Sequence, residues 1–262
     1  YQFVADQIDI DNYVTYQVAQ IYSDNRDWPG NNIKFWNSPT TNWRWILFDT
    51  DFIFGTWNGG ASSFDTLSYA LESNGPGWPN PPWSTLLFRK LVENSQFKNQ
   101  LINQFADEFN GRFRASNVSQ HIDAIANYVE SEMARHFARW GQRQTLAGWQ
   151  WEVDQLKFFS NNRLSFLRSY IINYFGINGT YQLGISINNP SAGSVQLNSL
   201  KLTSANWQGE YFDNIPVTLT AVPNSGYRFS HWQGNINSSS ASLELDRSTN
   251  TSLQAVFVPS GN

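Results

Sequence analysis

The spacing of apolar residues changes character near residue 178. Between Asp9 and about Gly176, apolar positions recur mainly at intervals of three and four residues, which is the period of amphipathic helices. Beyond Asn178-Gly179-Thr180, short runs alternate apolar and polar residues between turn-forming dipeptides, and this pattern predicts strands. The clearest runs are Leu183–Ile187, Val217–Val222 and Leu253–Val258. The chain is therefore predicted to be α+β, with a mostly helical domain over 1–178 and a small all-β domain over 181–262.

The helical region contains one predicted β-hairpin. A helix capped by Asp9 or Asp11 runs to about Asp24, and the aromatic and β-branched stretches 32–36 and 43–48 then predict two strands joined by a turn. Four further helices are predicted, with Ser116 and either Asn94 or Ser95 as candidate N-caps. Their ranges are Trp83–Asn94, Gln96–Asn110, Val118–Trp140 and Trp149–Phe175.

Residues 56–82 have the composition of a long loop. The stretch contains a Gly-Gly pair, a Gly-Pro-Gly triplet and three further prolines, which interrupt regular elements. Loops of this length are often functional, so we expect a loop that faces a substrate.

The turn before the hairpin and the hairpin's last residues carry candidate chemistry. In protein kinases an Asp of the catalytic loop accepts the proton of the acceptor hydroxyl, and an Asn five residues later holds one metal ion. A second Asp, just before Phe-Gly, holds another. Asp27 and Asn32 have the five-residue spacing, and Asp49 and Asp51 precede Phe52-Ile53-Phe54-Gly55. These residues are candidates for Mg²⁺-assisted phosphoryl transfer.

The same residue types also suit an ordinary turn. Asp, Pro, Gly and Asn are favoured in turns, so residues 25–32 need no catalytic role to explain their composition. Asp49 and Asp51 are alternate residues at a strand end and would point the same way. Like charges on one face are unfavourable unless a cation offsets them. The acid pair therefore favours a metal site.

A pair of arginines lies near the end of the predicted helix Val118–Trp140. Arg135 and Arg139 are four residues apart, so they share a helix face and could clamp a phosphate or an acidic substrate. Such a pair also occurs at ordinary solvated helix ends, where it offsets the helix dipole. Asn25 and Asn31 of the turn are further candidates for contacts with nucleotide or substrate.

Composition excludes several classes of protein. A formal net charge of −4 and a pI near 5.3 argue against nucleic acid as a partner. The sequence predicts no membrane span. Without cysteine the chain has no disulfide, thiolate metal site or Cys nucleophile. The P-loop, Gly-x-Ser-x-Gly and His-Glu-x-x-His motifs are missing.

Three ordered motifs resemble the spore coat protein H (CotH) kinase family. They stand at Asn25–Lys34, Trp43–Gly55 and Arg135–Trp140, and the resemblance covers roughly residues 1–176. It implies an atypical, distantly protein-kinase-like enzyme that binds ATP with Mg²⁺ and phosphorylates Ser or Thr of protein partners. By position, Asp27 matches the family's catalytic acid, while Asn32 and Asp49 or Asp51 match its metal ligands.

The resemblance also implies a smaller N-terminal lobe with a phosphate-binding lysine. That lobe would precede Tyr1, so we expect the chain to be the C-terminal lobe of a longer kinase, which would leave it inactive on its own. Lys34 is the nearest lysine to the motif but is no obvious substitute.

The tail resembles a divergent internalin B-type repeat. The resemblance rests on Gly209–Phe212, Pro216–Pro223, Gly226–Gly234 and Ala255–Phe257. Such repeats occur on exported bacterial proteins, which implies an extracellular or cell-surface location in preference to a spore coat. A surface partner or a polysaccharide could bind this domain. The alternative function is a catalytically silent surface adhesion or glycan-associated protein on a kinase-like fold.

Overall fold

A computed structural model describes residues 1–56, 59–73, 81–140 and 145–261. Those residues form two compact units. The first consists of Tyr1–Asn94 with Gly111–Ile171, and the second consists of Ser95–Asn110 with the chain from Ile172 onward. The secondary structure is α+β, as predicted, and the C-terminal region is all β. None of the described helices is long and apolar enough to cross a bilayer.

Helices dominate the first 175 residues. The helices are α1 (Gln2–Ala5), α2 (Ile10–Tyr22), α3 (Thr66–Ala70), α4 (Leu86–Val92), α5 (Ser95–Asn110), α6 (Ala115–Trp140) and α7 (Leu146–Phe175). The hairpin consists of β1 (Lys34–Ser38) and β2 (Thr41–Ile46). The four helices predicted from 83 to 175 are confirmed as elements, although Ser116 lies inside α6 and does not cap it.

Helix α2 starts where its capping residue predicts. The Asp9 carboxylate accepts a hydrogen bond from the Asn12 amide at 2.9 Å. This bond satisfies one of the free N–H groups of the first turn. The helix ends at Tyr22, and Asp24 then takes a left-handed conformation with φ 56°. The chain thereby leaves the helix directly into the turn at residues 25–32.

Side chains of α2 fix the hairpin in place. The Asn12 amide donates to the Trp45 carbonyl at 3.2 Å, and the Trp45 N–H donates to the Asn12 side-chain oxygen at 2.6 Å. Tyr13 packs edge-on against the Trp45 ring with centroids 4.6 Å apart. These contacts attach β2 to α2. The segment that carries Asp49 and Asp51 follows directly after β2.

The prediction of an unbroken loop over 56–82 is wrong in part. Ala61–Ser63 form a 3-10 turn, and Thr66–Ala70 form α3. Asp65 caps α3 by accepting from the Ser68 amide at 2.9 Å. Positions 57–58 and 74–80, which include the Gly-Pro-Gly triplet, lie outside the described residues. Five residues are too short a helix to show a clear apolar period.

The second unit contains two four-stranded sheets. Its strands are β3 (Thr180–Ile187), β4 (Gly193–Leu197), β5 (Leu200–Leu202), β6 (Asn206–Phe212), β7 (Val217–Pro223), β8 (Tyr227–Gly234), β9 (Ser242–Leu245) and β10 (Thr251–Pro259). The strand orders are β6-β3-β10-β8 and β5-β4-β7-β9, with β3 and β10 parallel. Alternate residues of β3 are buried, so the predicted period of two is confirmed.

Helix α5 groups with these sheets although it lies far from them in sequence. The buried Asp107 carboxylate accepts from the Ser199 hydroxyl at 2.5 Å, the Ser199 amide at 2.9 Å and the Tyr211 hydroxyl at 2.7 Å. Burial raises the pKa of Asp107, and these hydrogen bonds oppose the rise. Asn110 donates to the Glu210 carbonyl at 2.8 Å and accepts from the Glu210 amide at 3.0 Å.

The bare backbone of Gly209 lets Asn110 reach β6. A Cβ placed on Gly209 would lie 2.8 Å from the Asn110 side chain, which is too close for any residue with a side chain. The compact units therefore do not follow a single cut of the chain near residue 180. The predicted division into 1–178 and 181–262 stays a prediction, and in the structure α5 belongs with the strands.

We expect Asp107→Ala to destabilise the second unit. The substitution keeps a good helix former but leaves the Ser199 amide and the Tyr211 hydroxyl without their acceptor, at a cost of about 2 kcal/mol. Chemical unfolding followed by near-UV circular dichroism measures the change. Asp246→Ala, at an exposed position of the same unit, is the control and should change stability by less than about 0.5 kcal/mol. Equal stability of the two variants would mean that α5 is only loosely attached.

Candidate active site

The acidic turn brings Asp27 and Asn32 into direct contact. The Asn32 side-chain amide donates to Asp27 Oδ2 at 2.7 Å, and the Asn31 amide donates to Asp27 Oδ1 at 2.9 Å. Asn32 has φ 52°, a left-handed conformation that Asn tolerates better than most residues. Because the Asn32 side-chain nitrogen donates to Asp27, its side-chain oxygen is the atom that could serve as a metal ligand.

Buried side chains anchor the turn to α2. Asn25 is fully buried, donates to Gln20 Oε1 at 2.8 Å and accepts from the Asp27 amide at 3.0 Å. Trp28 is also buried and packs edge-on against Tyr16 at a centroid distance of 6.3 Å. Since both polar ends of the Asn25 amide are used inside the protein, its contacts favour a positioning role over contact with a nucleotide.

Asp49 lies within electrostatic reach of the other acids. Partial loss of water, the charge of Asp51 and a hydrogen bond with Asp51 raise the pKa of Asp49, and the charge of Asp27 adds to the rise. Lys34 lowers it in part. Asp49 and Asp51 are both exposed, so a ligand can reach them from solvent. The turn and the hairpin end therefore form one acidic cluster, consisting of Asp27, Asn32, Asp49 and Asp51.

The donor set of the acidic cluster fits a hard divalent cation. Carboxylate and amide oxygens are the ligands that Mg²⁺ prefers, and Mg²⁺ commonly uses one or two carboxylates together with water and substrate phosphates. Among the described residues, no three His, Cys, Asp or Glu side chains converge tightly enough to hold a metal by themselves. A site completed by Asn32 and by nucleotide phosphates is compatible with both facts.

A second buried network begins at Asp24, three residues before Asp27. Arg26 donates to the Asp24 carboxylate from Nε at 3.0 Å and from Nη2 at 2.8 Å, and its guanidinium lies 3.8 Å from the centre of the Phe64 ring. The Thr66 hydroxyl donates to Asp24 Oδ1 at 2.5 Å. Asp24 is thus a structural acid that joins the turn to the start of α3.

Arg163 of α7 connects this network to the rest of the first unit. Its guanidinium is buried and donates six hydrogen bonds, five of them to main-chain carbonyls. Burial lowers the pKa of Arg163 to about 10, and the charge of Asp24 opposes this shift. The acceptors are the carbonyls of Ile21, Tyr22, Ala61, Ser62 and Phe64 and the hydroxyl of Thr66.

The sequence analysis did not single out Arg163, Asp24 or Gln20. A signal for Arg163 was present, because it lies four residues from each of the buried Phe159 and Leu167 and therefore on the apolar stripe of α7. An arginine on such a stripe is rarely buried without partners. Its acceptors are carbonyls, which every residue has, so sequence could not identify them.

The other predicted residues make contacts within or beside their own elements. Arg135 is exposed and lies 3.6 Å from Glu132, and Arg139 lies 5.6 Å from the centre of the Trp140 ring. Neither contact joins α6 to the acidic cluster, so their role in phosphate binding stays a prediction. Lys34 Nζ lies 3.3 Å from the centre of the Phe48 ring, beside the cluster.

Comparison with protein families covers both parts of the chain. A family model described as CotH kinase protein matches residues 1–167. The chain belongs to the CotH kinase family. A second model, described as a divergent InlB B-repeat domain, matches residues 185–261. The CotH match includes every candidate site residue and also α5, which groups with the strands. No curated protein and no solved structure matches this CotH-family chain.

We expect Asp49→Asn to stabilise the metal-free protein in a pH-dependent way. The pKa of Asp49 is higher in the folded protein than its ordinary value of 3.8, so ionisation of Asp49 opposes folding. This cost to folding stability is absent below the ordinary pKa. It grows as the pH rises from the ordinary pKa to the pKa in the folded protein. Thermal melts in chelator should therefore show a gain for Asp49→Asn at pH 7 that shrinks toward pH 3.

Asp6→Asn, at an exposed acid of the same unit, is the control and should show no such pH dependence. Asn suits the left-handed conformation of residue 49, where φ is 52°, so a constant gain at every pH is a backbone effect. A gain in thermal stability that does not depend on pH would contradict the raised pKa of Asp49.

We expect Arg163→Lys to cost about 3 kcal/mol or more of unfolding free energy. Lysine keeps the charge but cannot reach the same set of acceptors, so buried carbonyls lose their donors. Denaturant titration measures the loss. Arg135→Lys, at an exposed arginine, should change stability by less than about 0.5 kcal/mol. A small effect of Arg163→Lys would show that Arg163 does not anchor the unit.

Proposed function

We propose that this CotH-family protein transfers the γ-phosphoryl group of ATP to a Ser or Thr hydroxyl of a protein partner. The observation that carries the proposal is the contact of Asp27 with Asn32, five residues apart, with Asp51 and Asp27 close enough to Asp49 for their charges to contribute to its raised pKa. The family match supports a kinase-like protein. ATP, Mg²⁺ and the protein acceptor are parts of the proposal.

Asp27 would orient the acceptor hydroxyl and take its proton. The acceptor oxygen forms a bond to the γ-phosphorus, the bond between that phosphorus and the β,γ-bridging oxygen breaks, and ADP leaves. The proton of the hydroxyl passes to the Asp27 carboxylate. Hydrogen bonds from Asn31 and Asn32 fix the orientation of that carboxylate before the acceptor arrives.

Asn32, Asp49 and Asp51 would hold Mg²⁺ against the phosphates. When bound, the cation neutralises the negative charge that spreads over the transferred group. Loss of water and the charges of Asp51 and Asp27 raise the pKa of Asp49, and a bound cation would offset the part that comes from those charges.

The second unit supports a proposal about location. Residues 185–261 match a divergent InlB B-repeat domain. We propose that the protein acts at the bacterial surface or outside the cell, where this domain contacts a surface partner.

The decisive test compares acid variants of the protein in its full natural length. Transfer of labelled γ-phosphate from ATP to a Ser-rich protein acceptor should require Mg²⁺. Asp27→Ala should lower kcat by about 10²–10⁴-fold, the contribution typical of a general base. Asp51→Asn should remove the Mg²⁺ dependence together with the activity. Asp6→Asn is the matched control and should retain full activity.

Two outcomes would overturn the proposal. Transfer that survives Asp27→Ala would remove Asp27 from the reaction. A folded protein that neither transfers phosphate nor binds ATP with Mg²⁺ would favour the catalytically silent adhesion protein.

A further inference from the structure

An aromatic cleft of about 560 Å³ lies beside the acidic cluster in the first unit. One wall is the segment that follows the acid pair, from Phe54 to Thr56 and from Gly59 to Ser62. The other wall is the first half of α7, from Trp149 to Phe159. Phe54 and Phe159 contact each other at the cleft's floor, with ring centroids 4.8 Å apart.

The two walls of the aromatic cleft are tied together. Arg163 lies one helical turn beyond Phe159 and donates to the carbonyls of Ala61 at 3.2 Å and Ser62 at 3.1 Å. Tyr170 also donates to the Ser63 carbonyl. These hydrogen bonds connect α7 directly to the opposite wall of the cleft.

Large aromatic side chains at the aromatic cleft remain exposed. Trp151 is 58% exposed and Phe158 is 60% exposed, although both line the cleft. They are seven residues apart on α7 and therefore lie on the same side of the helix. An exposed apolar patch of this kind commonly marks a binding surface. Trp is also the residue type most enriched among those that dominate binding energy.

The polar groups of the aromatic cleft suit a peptide ligand better than a sugar. Gly55, Gly59 and Gly60 present backbone without side chains, and a Cβ on Gly59 would meet nothing within 4 Å. Glu152 and Gln155 lie on the α7 wall. Glu152 is exposed, so its carboxylate can accept a hydrogen bond from a peptide N–H. Exposed backbone on one wall and aromatic rings on the other favour an extended peptide.

One wall of the aromatic cleft follows the acid pair closely in sequence and is hydrogen-bonded to the main chain of Asp51. Thr56 lines it, and the Thr56 hydroxyl donates to the Asp51 carbonyl at 2.6 Å and to the Ile53 carbonyl at 2.9 Å. The tight turn over 51–56 places the proposed metal ligand Asp51 only a few residues from the cleft wall. A peptide that lies in the cleft therefore has its neighbouring residues beside the acids.

We propose that the aromatic cleft binds the acceptor segment of the protein substrate, as an extended peptide with an aromatic or large aliphatic residue near its Ser or Thr. The identification of this peptide as the phosphate acceptor rests on the proposed kinase function. The binding itself does not depend on it. The apolar side chain packs between Trp151 and Phe158, and the hydroxyl-bearing residue lies toward Asp27.

A binding experiment without nucleotide tests the aromatic cleft directly. The probe is a fluorescently labelled library of short peptides in which a central Ser is replaced by Ala and the flanking positions vary. Binding to the full-length protein is read by anisotropy. Peptides with Phe, Trp or Leu near the centre should be selected, and Trp151→Ala and Phe158→Ala should each weaken binding about tenfold or more.

The chain provides a matched control for these substitutions. Tyr128 on α6 is 86% exposed, so Tyr128→Ala removes an exposed aromatic ring that does not line the cleft. This variant should bind the selected peptides as the unmodified protein does. All three positions are exposed, so circular dichroism should show that each variant remains folded.

A kinetic measurement separates the two proposals from each other. With Ser restored in the selected peptide, Trp151→Ala should raise KM about tenfold and leave kcat nearly unchanged, because it lies outside the acidic cluster. Selective peptide binding without any phosphate transfer would overturn the proposed function and leave the cleft as a peptide site. Phosphate transfer unaffected by Trp151→Ala and Phe158→Ala, or binding of oligosaccharides in place of peptides, would overturn this inference.

Discussion

The buried guanidinium of Arg163 is the interaction on which the first unit depends. It satisfies carbonyls at the end of α2, which leads into the turn of Asp27, and in the segment before α3, which lines the aromatic cleft. A buried arginine is costly unless it is fully hydrogen-bonded, and here six hydrogen bonds offset that cost. Through Thr66 it also reaches Asp24, whose partner Arg26 precedes Asp27.

The elements that this network supports hold the acidic cluster in place. Loss of water, followed by the charge of Asp51 and the charge of Asp27, raises the pKa of Asp49. Two segments carry the three acids: the turn after α2 carries Asp27, and the segment after the hairpin carries Asp49 and Asp51. The hairpin is in turn paired to α2 by Asn12. Packing therefore keeps like charges together at a place where they can bind a positively charged ligand.

Local sequence signals predicted the elements that present the site. Asp9 caps α2 as expected, and the aromatic strands form the expected hairpin. Asp27 and Asn32, singled out for their spacing, are in contact in the structure, while their catalytic and metal-binding roles stay a prediction. These features depend on residues close together in sequence, where capping and turn chemistry decide the structure.

Long-range contacts explain what sequence did not predict. Arg163 acts on residues about a hundred positions away through main-chain carbonyls, which leave no mark on the composition of their segments. Helix α5 groups with the strands through Asp107 and Asn110, whose partners lie about a hundred residues later. Amphipathic spacing predicted the helix but could not show which sheet it joins. The short α3 was hidden by flanking glycines and prolines.

The central claim is that the acidic cluster, held by Arg163, binds a nucleotide together with a divalent cation. Calorimetric titration of a non-hydrolysable ATP analogue into the full-length protein, with and without Mg²⁺, tests it most directly. We predict saturable binding of one analogue per chain that requires Mg²⁺ and that is lost in Asp51→Asn. Binding of equal strength in chelator, or no binding by the folded protein with Mg²⁺ present, would contradict the claim.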